Sequence, residues 1–265
     1  VNAARQLVKR AAMMCLSPRR FLVDGSACVR TADGPRGSKQ VQMALTFDDG
    51  PHPQWTPAVL DALSQAGWRG TFFLIGERAA QHPELVRRIV AEGHDVGNHT
   101  WTHAEPRQTS TIAFREEVER TELLLEQLAG SRTGLVRPPK GELTLGKFCT
   151  LWRSGCRIAL WNIDPRDYSM SSSDQAEGWA AAYRPRHGDI LLLHDRLPLA
   201  AEIVKGLAAR HGPSLGSVGL SAWIGRAPDS PRAGGSTHTA SGHESTDDRH
   251  SETVPVTDGS AATGP

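Results

Sequence analysis

Cysteine is scarce in this chain. Cys15, Cys28, Cys149 and Cys156 are the four present in 265 residues, and no two stand in a CxxC spacing. That is too few for a disulfide scaffold at this length, so reduced or buried thiols are expected. Excess charge of one sign is also missing. With 30 Lys and Arg against 29 Asp and Glu, no broad field draws nucleic acid or an anionic membrane, and a small or neutral partner is expected. No run reaches the roughly 18 apolar residues of a membrane-spanning helix. The N-terminal "VNAARQLVKRAAMMCLSPRR" is basic, but its longest apolar stretch, Ala11 to Leu16, is short for the core of a secretion signal. No export signal is read, which favours the cytoplasm; compartment and oligomeric state stay open.

Apolar residues thin out at the C-terminal end as well. Residues 226–265 contain no aromatic side chain and only Val254 and Val256 as sizeable apolar groups, so this segment is expected to be a disordered tail. Its His238, His243 and His250 read as solvated rather than as a metal tract. Residues 1–39 read as a basic arm ending in the linker-like "TADGPRGSKQ". A single catalytic domain is expected over 40–225.

Within that domain, apolar runs alternate with helical patterns. "QVQMALTF", "GTFFLIG", "HDVGNH", "GLVRPP", "CRIALWNID" and "GDILLLHD" read as strands. Between and after them, "TPAVLDALSQAG", "HPELVRRIVAEG", "STIAFREEVERTELLLEQLAG", "TLGKFCTLWRSG", "SDQAEGWAAAYR" and "PLAAEIVKGLAARHG" read as helices. Strands alternating with helices imply an α/β fold around a mostly parallel sheet, open or closed into a barrel. In both architectures active-site residues gather at the carboxyl ends of strands.

Polar residues stand at those ends. Asp48 and Asp49 follow the first strand, where Asp-Gly-Pro also reads as ordinary turn chemistry. His99 and His103 follow the third, Arg137 ends the fourth, Asp164 and Asp167 follow the fifth, and His194 and Asp195 end the sixth. The four-residue spacing of His99 and His103 is expected to place both imidazoles on one side of a helical turn, where they can share a metal. A carboxylate from a neighbouring strand end completes a two-histidine, one-aspartate site with positions left for water. One aspartate of the pair can be that ligand while the other takes the proton of an attacking water.

"TFDDGP", "HTWTH", "RPPKG", "DPRDY" and "LLLHD" follow one another in the order and approximate spacing of five motifs. Over roughly residues 41–212 the chain thereby resembles the NodB-homology polysaccharide deacetylases, carbohydrate esterase family 4, which includes chitin and peptidoglycan deacetylases. The resemblance implies a distorted (β/α) barrel and hydrolysis of N-acetyl groups on an N-acetylhexosamine-containing glycan. It also implies one divalent ion, zinc before cobalt, manganese or nickel. It casts Asp48 as catalytic base, Asp49, His99 and His103 as metal ligands, and His194 as general acid. Arg137 would support the base and Asp167 would tune His194. Leu192 would line the acetyl pocket, and a backbone N–H near Pro139 and Lys140 would hold the oxyanion.

Two positions depart from the family's pattern. Lys140 stands where an aromatic residue is usual, and Tyr168 where tryptophan is usual. Lys140 is either an exposed lysine or a group that favours an anionic sugar, and Tyr168 keeps an aromatic wall. Trp101, between the two histidines, is a sugar-stacking candidate or a core residue, and Trp161 reads as core. Two other functions share these residues: a metal-dependent amidase acting on a non-carbohydrate amide or imide, and a catalytically silent carbohydrate-binding relative.

Overall fold

The computed structural model describes residues 40–224, together with the backbone of Leu22–Val23. The remainder of the basic arm, with Cys15 and Cys28, and the tail expected from residue 226 lie outside the described residues.

Among the described residues the chain forms eight strands, all paired in parallel, and seven α-helices. Strand β1 is Leu22–Val23 and β2 is Val41–Gly50, followed by α1, Trp55–Ala66. Then come β3, Gly70–Leu74, two short helices α2, Gly76–Gln81, and α3, Pro83–Ala91, and β4, Asp95–Asn98. Helix α4, Thr111–Ala129, leads to β5, Leu135–Val136, and α5, Leu145–Arg153, to β6, Arg157–Ala159. The last elements are α6, Ser173–Ala182, β7, Ile190–His194, α7, Leu199–His211, and β8, Leu215–Ser217. The strand order is β1-β6-β5-β4-β3-β2-β7, with β8 alongside the start of β2. The sheet curls into a half-barrel, the open form of the expected distorted barrel. No helix among the described residues is long and apolar enough to cross a membrane.

Helix boundaries follow local chemistry. Ser110 caps α4 by accepting from the Ala113 N–H, and Thr144 caps α5 by accepting from Lys147. Gly67 and Gly130 close α1 and α4 in the left-handed conformation that glycine adopts without strain.

The strands are buried on both faces, so they read as continuous apolar runs rather than as alternation. Met43, Leu45 and Phe47 of β2, Phe72 and Leu74 of β3, and Leu191 and Leu193 of β7 pack with Val59, Leu60 and Leu63 of α1 and Ile203, Val204 and Leu207 of α7. Each such side chain contributes about 1.5–3 kcal/mol. The opposite face carries Ala44, Phe73 and Ile190, which meet Leu220 and Trp223 in a second cluster. Side chains along a strand alternate, so Ala44, Thr46 and Asp48 share that inner face, as do Ile190, Leu192 and His194. Depth along the strand therefore sets character. Apolar groups plug the start, Thr46 lies midway, and Asp48 and His194, paired in register, reach the rim.

Gly50 ends β2 against the turn that follows β7. A Cβ at Gly50 would overlap the carboxylate of Asp195, which is fully buried. Gly50→Ala is expected to destabilise the fold by about 1–3 kcal/mol, checked by urea unfolding. An unchanged midpoint would mean that the turn yields freely.

Candidate metal centre and active site

A regular strand sends neighbouring side chains to opposite faces, yet Asp48 and Asp49 reach one rim. The strand does not stop before them, as the sequence reading expects; β2 runs through both and breaks register between Asp48 and Gly50. Asp49 has φ 71°, a left-handed conformation that aspartate enters more readily than most residues. The irregularity turns both carboxylates the same way. Asp48 Oδ2 lies 3.7 Å and Asp49 Oδ1 3.4 Å from the same atom, His99 Nε2. Arg78 of α2 braces the bend by donating to the Asp49 carbonyl at 2.5 Å.

His99 Nδ1 lies 2.7 Å from the Arg137 carbonyl oxygen. A carbonyl only accepts, so Nδ1 carries the hydrogen and the Nε2 lone pair faces the carboxylates. His103 Nε2 stands 3.4 Å from the same Asp49 Oδ1. The three donor atoms of Asp49, His99 and His103 lie within 4.8 Å of one another, and Asp49 Oδ1 is buried without a hydrogen-bond partner. An orphaned carboxylate oxygen facing two imidazole nitrogens fits a divalent cation. The charges agree. Burial works against a proton on His99, but Asp48 and Asp49 outweigh it and raise its pKa; burial and His99 lower that of His103. Burial would raise the Asp49 pKa, yet His99 and Arg196 hold it far below the ordinary range.

The histidines do not share a helical turn, which corrects the sequence expectation. Residues 99–103 are irregular, with Thr100 at φ 66° and His103 at φ 56°. The carbonyls of Thr100 and Trp101 accept from Gly76 and Glu77 at the start of α2, so they are unavailable for a helix of their own. The loop brings the rings to 4.8 Å between centroids instead. His103→Ala removes a partly exposed side chain and one of three donors. Zinc affinity in a chelator competition is expected to fall by more than the roughly 10–100-fold that loss of an outer-shell partner costs. Unchanged affinity would exclude His103 from the ligand set.

Arg137 is fully buried. Its guanidinium donates to Asp48 Oδ1 and Thr46 Oγ1, both at 2.7 Å, and to the carbonyls of Ala159 and Leu160 at 3.1 and 3.2 Å. It also lies 4.1 Å from the Phe73 ring centroid. Across the rim, buried Asp167 accepts from the His194 backbone N–H and from Nδ1, both at 2.7 Å. That leaves His194 Nε2 as the free nitrogen. Burial opposes protonation of His194, but Asp167, with Asp48 and Asp49 behind it, raises its pKa. Tyr168 meets His194 edge-on at 5.5 Å and is half exposed. Leu192 is buried two residues earlier on the inner face, beside Thr46. Pro139 is buried, and Lys140, at φ 55°, is exposed in the turn that follows Arg137.

Not every candidate joins the rim. Trp101 rests on Gly76 with Arg120 stacked 3.6 Å from its ring centroid, so its face is engaged by α4. Trp161 is half-buried against the inner apolar cluster. Asp164 is exposed and caps the backbone N–H of Arg166, holding the turn that presents Asp167. Lys140 pairs with Glu105, which neutralises the charge that would draw an anionic sugar. No sequence motif marks Arg78, Glu105 or Arg196; the Nε of Arg196 donates to Asp49 Oδ2 at 2.7 Å. Asp195 stands at the end of the sixth predicted strand with no role that its sequence position specifies. Asp195 accepts from Thr56 at 2.5 Å, and burial pushes its pKa up to about 7. The partners of Arg196 and Asp195 lie more than a hundred residues away, and their only sign in the sequence is that Asp195 ends "LLLHD" and Arg196 follows it.

Residues 36–148 match the family described as Polysaccharide deacetylase. The chain is 38% identical over 135 residues to a peptidoglycan-N-acetylglucosamine deacetylase of Bacillus cereus, covering 51% of this chain and 49% of that one. It is 39% identical over 160 residues to a chitooligosaccharide deacetylase of Bradyrhizobium, covering 60% of this chain and 72% of that one. The chain thus spans about half the length of the first relative and nearly three quarters of the second. Among solved structures, a family 4 carbohydrate esterase from Streptomyces lividans in complex with acetate superposes with a TM-score of 0.62 at 31% identity. That superposition covers 69% of this chain and 94% of the esterase.

Proposed function

The chain belongs to the polysaccharide deacetylase family, and on that premise we propose that it hydrolyses N-acetyl groups on N-acetylhexosamine units of an oligo- or polysaccharide, releasing acetate. The observation that carries this reading is the meeting on one rim of three built pairs or triads: Asp48 with Arg137, Asp49 with His99 and His103, and Asp167 with His194.

An acetamide is a poor electrophile with a poor leaving group. Asp49, His99 and His103 would hold a divalent ion, zinc before cobalt, manganese or nickel. When bound, such an ion supplies Lewis-acid polarisation and lowers the pKa of water. Asp48 takes the proton of the attacking water. Arg137, fully buried, holds the Asp48 carboxylate by one oxygen and leaves the other facing the reaction. His194 gives its proton to the departing nitrogen, with Asp167 keeping the ring charged and oriented through Nδ1. Leu192 and Tyr168 wall the acetyl group, and the turn at Pro139 and Lys140 offers a backbone N–H to the developing oxyanion. The Glu105–Lys140 pair supports a neutral rather than an anionic sugar at that edge.

The test is acetate release from chitooligosaccharides and peptidoglycan by protein loaded with zinc or cobalt. Release from an N-acetylated glycan supports the reading. No release from either class, with the ion bound, would sink it and leave the amidase alternative.

A further inference from the structure

Two arginines divide the two carboxylates of the rim. Arg137 takes one oxygen of Asp48, and Arg196 takes one oxygen of Asp49. The second pairing has no counterpart in the roles assigned above. We infer that Arg196 is a positioning residue of the metal centre, which holds Oδ2 of Asp49 so that this carboxylate ligates through Oδ1 alone. The inference rests on the metal-centre reading already given.

A carboxylate free to turn presents both oxygens to a cation and can occupy two coordination positions, as carboxylate ligands do when nothing restrains them. Asp49 is restrained at both levels. Its carbonyl is held by Arg78, and its Oδ2 by a charge-assisted bond of 2.7 Å from Arg196 Nε. Its Oδ1 keeps no hydrogen bond and points at both histidines. With one oxygen committed, the centre keeps open positions, the property that separates catalytic from closed structural sites.

Arg196 is not a loose surface arginine that happens to fall there. It follows Asp195, whose side chain is fully buried, accepts from Thr56 and packs on Gly50, one residue beyond Asp49. The turn is closed by the Leu197 N–H to the His194 carbonyl at 3.1 Å. One short turn therefore carries His194, the anchor Asp195 and the restraint Arg196. Its other face is the bend of β2 that presents Asp49.

The experiment compares the visible spectra of cobalt-loaded wild type, Arg196→Ala and Arg196→Lys, with acetate release measured on the same preparations. Arg196 is partly exposed, so both variants are expected to fold, checked by circular dichroism. In Arg196→Ala, Asp49 adds its second oxygen, and the cobalt bands weaken and shift as coordination rises. Its kcat falls about 10–100-fold, as for loss of an outer-shell partner, with KM little changed. Arg196→Lys keeps a donor and a charge and retains the wild-type spectrum. An Arg196→Ala spectrum that superposes on wild type would overturn the inference, even if activity fell. Wild-type protein that takes up no cobalt would overturn the metal centre and this inference with it. Spectra that change as expected without acetate release from any glycan would leave the inference standing and remove the proposed substrate class.

Discussion

Asp48→Asn is expected to lower kcat/KM for acetate release by about 10²–10⁴-fold, the contribution of a positioned general base, while zinc content stays at the wild-type level. The substitution is nearly isosteric. Its amide oxygen can still accept from Arg137 Nη1, now 2.7 Å from Asp48 Oδ1, so the buried guanidinium keeps a partner. What is lost is the capacity to take a proton. Asp49, His99 and His103 are untouched, and metal analysis on the purified variant tests the separation of roles. Asp48→Ala makes the contrast. It leaves Arg137, fully buried, without its carboxylate and is expected to cost about 3–5 kcal/mol of stability, seen as a lower midpoint in thermal unfolding. Turnover of Asp48→Asn within a few-fold of wild type would mean that another group takes the proton. Loss of zinc in that variant would mean that Asp48, not Asp49, is the ligand.

The legible parts of this fold are those in which local pattern and tertiary role coincide. Strands β2, β3 and β7 are apolar for several residues because both faces are covered, and the motif residues of β2 and β7 come at the ends because the inner face opens only there. Helices α1, α4 and α7 carry their own caps or glycine stops. The less legible parts are those whose backbone is spoken for by something distant. "CRIALWNID" forms a strand only to Ala159. The carbonyls of Ala159 and Leu160 accept from Arg137, and no sequence pattern announces a guanidinium arriving from another strand. Helix α2 is six residues long, has no side-chain cap, and takes its first carbonyl partners from Thr100 and Trp101. The three-residue β8 is made by pairing with β2 and has no alternation to show.

The site divides along the same line. Asp48, Asp49, His99, His103, Arg137, Asp167 and His194 all stand in motifs, and the strand ends carry them to one rim. The means by which they meet were not legible. Four-residue histidine spacing suggested a helical turn, whereas a loop with two left-handed residues does the work. Adjacent aspartates suggested a turn after a strand, whereas a register break inside the strand aims them together. Trp101 sits between the two histidines in sequence yet faces α4, because chain proximity says nothing about which way a loop residue turns.

In wild-type protein, kcat/KM is expected to fall as pH rises through the His194 pKa, and Asp167→Asn is expected to move that fall to lower pH. The sign follows from what surrounds the ring. Burial disfavours the charged imidazole; Asp167, bonded to Nδ1, outweighs it, with Asp48 and Asp49 adding in the same sense, so the pKa lies above the ordinary 6.5. A general acid works only while protonated, so its contribution is present below that raised pKa and lost above it. Replacing Asp167 removes the largest favourable influence and leaves burial in place, which carries the limb down. Above the lowered pKa the variant lacks its acid and is expected to lose up to about 10²–10⁴-fold in rate, part of it recovered on acidification. A pH profile separates this from a purely structural effect. Asp167 also accepts from the His194 backbone N–H at 2.7 Å, and an asparagine can satisfy only one of its two donors with oxygen, so some stability is expected to be lost as well. Lost stability alone lowers the whole profile without moving its alkaline limb, whereas an unshifted limb in a folded variant would remove Asp167 from the tuning of the acid and His194 from the role itself.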